Sequence, residues 1–140
     1  MIELNWLAIG VCTLLMFMGG ALWHGPIFGK IWMKIHHGDK TFTEAENKKL
    51  MEGMWKLMVI ELIASALMVI GLACIMGAIP EYSGVRNAFM IWFVFVLPTL
   101  TSTVIWGGDK KESMCTKIAI TGSYRLIALL AIGYVLSVWR

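Results

Sequence analysis

Four long apolar runs constrain this chain more than any other feature. Leu4 to Trp23 carries no charge and holds Asn5 and Thr13 as its notable polar groups. Leu57 to Ile79 is interrupted by one charge, Glu61. Val85 to Trp106 has Arg86 and Asn87 at its start and then runs uncharged, and Ile118 to Trp139 is interrupted by Arg125 alone. A helix needs about 20 apolar residues to cross a hydrocarbon core about 30 Å thick. Each run has that length, and the four leave little but loops in a chain of 140 residues. The expected fold is all-α. It is a polytopic membrane protein with one domain, 1–140, and transmembrane helices at about 4–23, 55–79, 85–106 and 117–139 in a four-helix bundle.

Composition supports this and removes alternatives. Charged residues make up 15% of the chain, against roughly 25% in soluble domains, which excludes disorder and coiled coil. A net charge of +3, scattered along the sequence, gives no nucleic-acid footprint. Cys12, Cys74 and Cys115 make an odd count with no paired spacing, so no disulfide framework is expected. The acidic start at Glu3 and the lack of a small-x-small site mark the first run as a retained helix and not a secretory signal.

Basic residues set the expected orientation. The first loop and its helix ends hold Lys30, Lys34, Lys40, Lys48, Lys49 and Lys56, and the third loop holds Lys110, Lys111 and Lys117. The other side has Arg86 and Arg140. By the positive-inside rule, the long first loop is cytoplasmic and both termini lie outside, in the cell (inner) membrane. Trp6 and Trp139 then fall near the outer boundary, and Trp23, Trp55 and Trp106 near the inner one, as aromatic belts require.

The first loop has structure of its own. Pro26 suits a first helical residue, and over about 26–37 the side chains of Ile27, Phe28, Ile31, Trp32 and Ile35 share one face opposite Lys30, Lys34 and His37. An apolar face beside a basic one predicts a short amphipathic helix lying in the membrane interface, ended at Gly38-Asp39. Thr43-Glu44-Ala45-Glu46 reads as a capping box that opens a helix running into the second crossing, loosened at Gly53.

Asn5-Trp6-Leu7-Ala8, followed by Gly20-Ala21-Leu22-Trp23-His24-Gly25-Pro26-Ile27-Phe28-Gly29-Lys30-Ile31-Trp32, resembles the domain of unknown function 1761 family. Pro98 in the third helix and Gly122-x-Tyr124 in the fourth also fit, and the resemblance covers essentially the whole chain. His24 departs from the aromatic residue usual there. The resemblance implies a small four-helix membrane protein and carries no known activity or catalytic residue.

The intramembrane charges are the strongest functional signal. Glu61 lies five residues past Lys56, about 7.5 Å along its helix, and Arg125 eight past Lys117, about 12 Å. An ionisable group at such depth calls for a partner. Two readings stay open: a structural Glu61–Arg125 pair, or a ligand site. Thr99, Ser102 and Trp106 share a helix face beside Pro98. Tyr124 and Thr121 accompany Arg125, and His24 closes the first helix. The candidate ligand-binding set is thus Arg125, Glu61, Tyr124, Thr99, Ser102 and His24, in a polar pocket of the cytoplasmic half. The alternative is that the Thr and Ser hydroxyls bond their own helix carbonyls.

No metal, catalytic or cofactor-binding residue is expected. His36 and His37 point to different faces, and neither they nor His24 has acid or cysteine at ligand spacing. No Ser or Cys precedes a base at useful spacing. Ala119 with Ser123 and Ala73 with Gly77 are small-xxx-small pairs suited to close helix packing, within a subunit or between subunits. The leading expectation is a non-enzymatic protein that binds or conducts a small molecule. The alternative is a structural or accessory subunit without a ligand, and a membrane enzyme using Tyr124 or His24 as acid has least support. Expected partners are the lipid bilayer and a small-molecule or lipid ligand. Four helices enclose little aqueous volume, so transport implies a homo-oligomer.

Overall fold

The computed structural model describes residues 4–38, 42–108 and 110–139. The Glu3 charge, the Asp39 helix stop and the Lys40 and Arg140 charges lie outside them. Among the described residues there are helices and short connections, and no strand. Helix α1 (Trp6–Leu22) continues as one π-helical turn, Trp23–Ile27. Helices α2 (Gly29–His37), α3 (Glu44–Met51) and α4 (Met54–Ala78) follow. Then come α5 (Gly84–Ile91), a second π turn at Trp92–Val96, α6 (Leu97–Trp106) and α7 (Lys111–Val138). Four segments are long and apolar enough to cross a membrane: Trp6–Ile27, Met54–Ala78, Gly84–Trp106 and Lys111–Val138. The protein is an all-α polytopic membrane protein.

Caps placed by the sequence start these helices. The Asn5 side chain accepts from the Ala8 N–H at 3.1 Å, and its amide donates to the Trp139 carbonyl at 3.4 Å, tying the start of α1 to the end of α7. Thr43 and Glu46 form the capping box: the Thr43 N–H donates to the Glu46 carboxylate at 2.9 Å, and the Glu46 N–H to the Thr43 hydroxyl at 3.4 Å. The helix it opens does not run into the second crossing. Gly53 takes φ +80° between α3 and α4, a left-handed conformation that costs glycine nothing and ends the first helix.

Both π turns lie beside a proline. Pro26 is not the first residue of α2 but sits inside the first turn, where the Phe28 N–H reaches back five residues to the Trp23 carbonyl at 2.9 Å. Pro98 opens α6, and the Leu97 N–H just before it bonds the Trp92 carbonyl, again five residues back. A proline has no N–H, and its ring clashes with the carbonyl four residues earlier. Widening the helix by one residue relieves the clash.

The dry core occupies one half of the assembly. Ala8, Ile9, Cys12 and Met16 of α1 meet Val69, Leu72 and Met76 of α4, Ala88 of α5 and Leu129, Ile132 and Leu136 of α7. All lie toward the end that carries the Pro80 loop. There α5 and α7 cross in backbone contact: a Cβ added at Gly84 would stand 2.1 Å from the Gly133 carbonyl oxygen, and one at Gly133 2.5 Å from that of Gly84. Away from this core the spans turn large apolar side chains outward, as at Leu67 (66% exposed) and Phe95 (65%). A helix apolar all round suits a lipid solvent, where such faces meet acyl chains.

Candidate functional site

The opposite half, beside the first loop, carries the Glu61–Arg125 pair and most aromatic contacts. Arg125 of α7 reaches α4, where its Nη2 donates to Glu61 Oε1 at 2.8 Å and its Nη1 to the Met68 thioether at 3.4 Å. The depths counted along the two helices differ by only about 4.5 Å, within reach of an arginine side chain. The side chains are 20% and 48% exposed respectively, so the guanidinium is the more enclosed partner. A lone charge at the centre of a span costs about 2.5–3.5 kcal/mol on insertion scales, less nearer the boundary, and pairing relieves both groups.

Two hydroxyls flank the pair without partners. Ser65, 1% exposed, sits one helical turn past Glu61 and three residues before Met68, between the two α4 groups that hold Arg125. Thr121 sits one turn before Arg125 on α7. Among the described residues, Ser65 Oγ and Thr121 Oγ1 are buried side-chain atoms with no hydrogen-bond partner. A guanidinium offers five N–H donors, and here one meets a carboxylate and another a weak thioether acceptor. The arrangement therefore combines a fixed cation, donors to spare and two unengaged hydroxyls.

Tyr124 faces α1 and is 5% exposed. Its hydroxyl donates to the Met16 carbonyl, and the Gly19-Gly20 pair makes the slot for it. A Cβ added at Gly20 would come within 3.1 Å of the Tyr124 oxygen. His24 Nδ1 lies 3.1 Å from the Gly20 carbonyl, and since a carbonyl only accepts, that nitrogen carries the proton. The His24 ring meets Tyr124 edge to face at 5.6 Å and Trp32 of α2 at 4.7 Å, and Trp32 meets His36 at 4.5 Å. This row of rings docks α2 against α7. Trp23 and Trp92, which open the two π turns, donate their indole N–H groups to the α7 carbonyls of Ile120 (3.0 Å) and Gly122 (2.9 Å).

Of the residues expected to form one pocket, the structure brings together Glu61 and Arg125, and Tyr124 with His24. Thr99 and Ser102 stand elsewhere. Both are exposed on the outer face of α6 with Trp106, which is 86% exposed. The π turn accounts for this: one extra residue rotates everything beyond it by about a quarter turn, so Leu100 and Val104 face inward where unbroken α-helix would have pointed Thr99 and Ser102. Leu100 and Leu97 instead pack toward Gly122. The small-xxx-small contact at the α5–α7 crossing uses Gly84 and Ala88 against Gly133, residues the sequence reading did not select, although Gly84-x-x-x-Ala88 is the same signal. Ser65 and Met68 were also missed, and an i, i+4, i+7 stripe from Glu61 marks both.

Two cavities border the elements described above. One, of about 450 Å³, lies at the Pro80 end between Asn5, Ala73, Met76, Pro80, Leu136 and Trp139. The other, of about 290 Å³, runs between α1 and α7 and touches Trp23 and Tyr124. No group of three or more His, Cys, Asp or Glu side chains among the described residues is disposed to hold a metal ion.

A family model described as "Protein of unknown function (DUF1761)" matches residues 7–137, nearly the full chain. The chain belongs to the DUF1761 family. No curated protein and no solved structure matches it. In this DUF1761 protein, the segment from Gly20 to Trp32 that carries the resemblance is thus the slot for Tyr124, the first π turn and the ring contacts of α2. Pro98 and Gly122 of the same pattern belong to the second π turn and its indole contact.

Proposed function

We propose that this DUF1761 protein is a non-enzymatic integral membrane protein that holds a small anionic or carbonyl-bearing molecule at Arg125. Glu61, Ser65 and Thr121 line that place, with Tyr124 and His24 beside it. One observation carries the reading: an arginine within a membrane span keeps unused donors, and two buried hydroxyls with no partner lie one helical turn from it and from Glu61 on their own helices. Buried polar groups are normally satisfied, and a ligand or water supplies what the chain does not. The lysine-rich loops support a cytoplasmic position for this half in the cell membrane. Conduction along the same path would take more than one copy of the chain.

Thermal unfolding in detergent, with and without a panel of small carboxylates and inorganic phosphate, tests the proposal. A compound at 100 times its Kd stabilises by about 2.7 kcal/mol, which raises Tm by several degrees in the parent and not in the Glu61→Leu/Arg125→Leu double variant. No shift with any compound, or an equal shift in the double variant, contradicts it. A second reading is a structural or accessory subunit, favoured by the 2.8 Å separation of Glu61 and Arg125, which already satisfies both charges. Stable co-purification of a different protein would favour it. An enzyme has least support, because the Tyr124 proton and the Nδ1 proton of His24 are both engaged by main-chain carbonyls.

A further inference from the structure

The cavity between α1 and α7 has a shape and a lining unlike those of the Arg125 site. Leu15 and Leu22 form one wall and Ala131 and Val135 the other, with Trp23 and Tyr124 toward the first-loop end. Nothing polar in it seeks a partner: the Tyr124 hydroxyl donates to Met16 and the Trp23 indole to Ile120. On the α1 side the lining begins at Ile27, near Lys30, and reaches Leu15 about 18 Å further along at about 1.5 Å per residue. That is close to the ~15 Å that one leaflet contributes to the hydrocarbon core.

Cationic groups lie beyond the aromatic end. Lys117 stands two turns before Tyr124 on the same face of α7, and Lys30 follows three residues after Ile27, which lines the slot on the α1 side. Basic side chains next to a membrane surface attract anionic headgroups. We infer that the slot is a binding site for one acyl chain of an anionic phospholipid, whose phosphate lies at the level of Lys30 and Lys117. Walls from two helices of the same chain grip the acyl chain on both sides, which separates this lipid from those that merely surround the protein. The lining is centred about a quarter turn round α7 from Arg125 and shares Tyr124 with its surroundings, and the inference does not need the ligand proposed there.

The test is native mass spectrometry of the full chain from vesicles of equal phosphatidylglycerol and phosphatidylcholine, with a diazirine-bearing phosphatidylglycerol as cross-linking probe. The parent should keep one phosphatidylglycerol per chain through detergent washing, and the probe should label peptides spanning 15–27 and 127–135. Ala131→Phe, at an exposed position that fills the slot, should lower retention about tenfold, equivalent to about 1.4 kcal/mol. Lys30→Gln should reduce the preference over phosphatidylcholine. Equal retention of the two lipids by the parent, labelling elsewhere, or displacement by a free fatty acid alone overturns the inference. So does undiminished retention in a folded Ala131→Phe variant. If that variant does not fold, the labelling map and the Lys30→Gln comparison decide.

Discussion

In the half next to the Pro80 loop, α5 and α7 touch main chain to main chain at Gly84 and Gly133, and buried side chains from four helices fill the space behind them. In the half next to the first loop, the same α7 is held by side chains reaching to it: Arg125 to Glu61 and Met68, Tyr124 to Met16, and two tryptophans to its carbonyls. At the Gly84–Gly133 crossing, close packing leaves no room for change. Contacts made by long polar side chains can be broken and remade, and they carry the unpartnered hydroxyls. The difference teaches that one half secures the fold while the other has groups available for a ligand.

The largest way to break this contrast is to add a methyl group in the tight half. Gly84→Ala and Gly133→Ala each put a Cβ well inside contact distance of a backbone oxygen. The gain in helix propensity is about 1 kcal/mol, and the clash outweighs it, for a net loss of about 2–3 kcal/mol in detergent unfolding. Tyr124→Phe in the other half removes one hydrogen bond and keeps the ring, and should lower stability by about 1 kcal/mol in the same assay. Smallest of all, Thr99→Ala and Ser102→Ala should each change stability by no more than about 0.5 kcal/mol, because both side chains are exposed on α6. A larger loss at Ser102 would show that this face meets something in the membrane.

The sequence made the four spans legible because hydrocarbon imposes a length and a composition on any helix that crosses it. The meeting of Glu61 and Arg125 followed from counting residues inward from the nearest lysines. Placement within the third span was not legible. Period counting treats a helix as uniform, and the π turn at Trp92–Val96 moved Thr99 and Ser102 off the inner face. The Gly84–Gly133 contact was equally hidden, since several small-residue pairs satisfy the same spacing and only the crossing of α5 with α7 selects among them. Ser65 looked like any helical serine until its neighbours, Glu61 and Met68, were seen to share one guanidinium.

The central claim is that the charge pair joins α4 to α7 without being needed for the fold. A double-mutant cycle of Glu61→Leu and Arg125→Leu, read as unfolding free energy in detergent, tests it most directly. Each single variant strands a charge and should lose about 1–3 kcal/mol. The double variant should recover most of that loss, as apolar replacement of a buried pair often does, and should remain more stable than Gly84→Ala. Additive losses with no coupling between Glu61 and Arg125 would contradict the account.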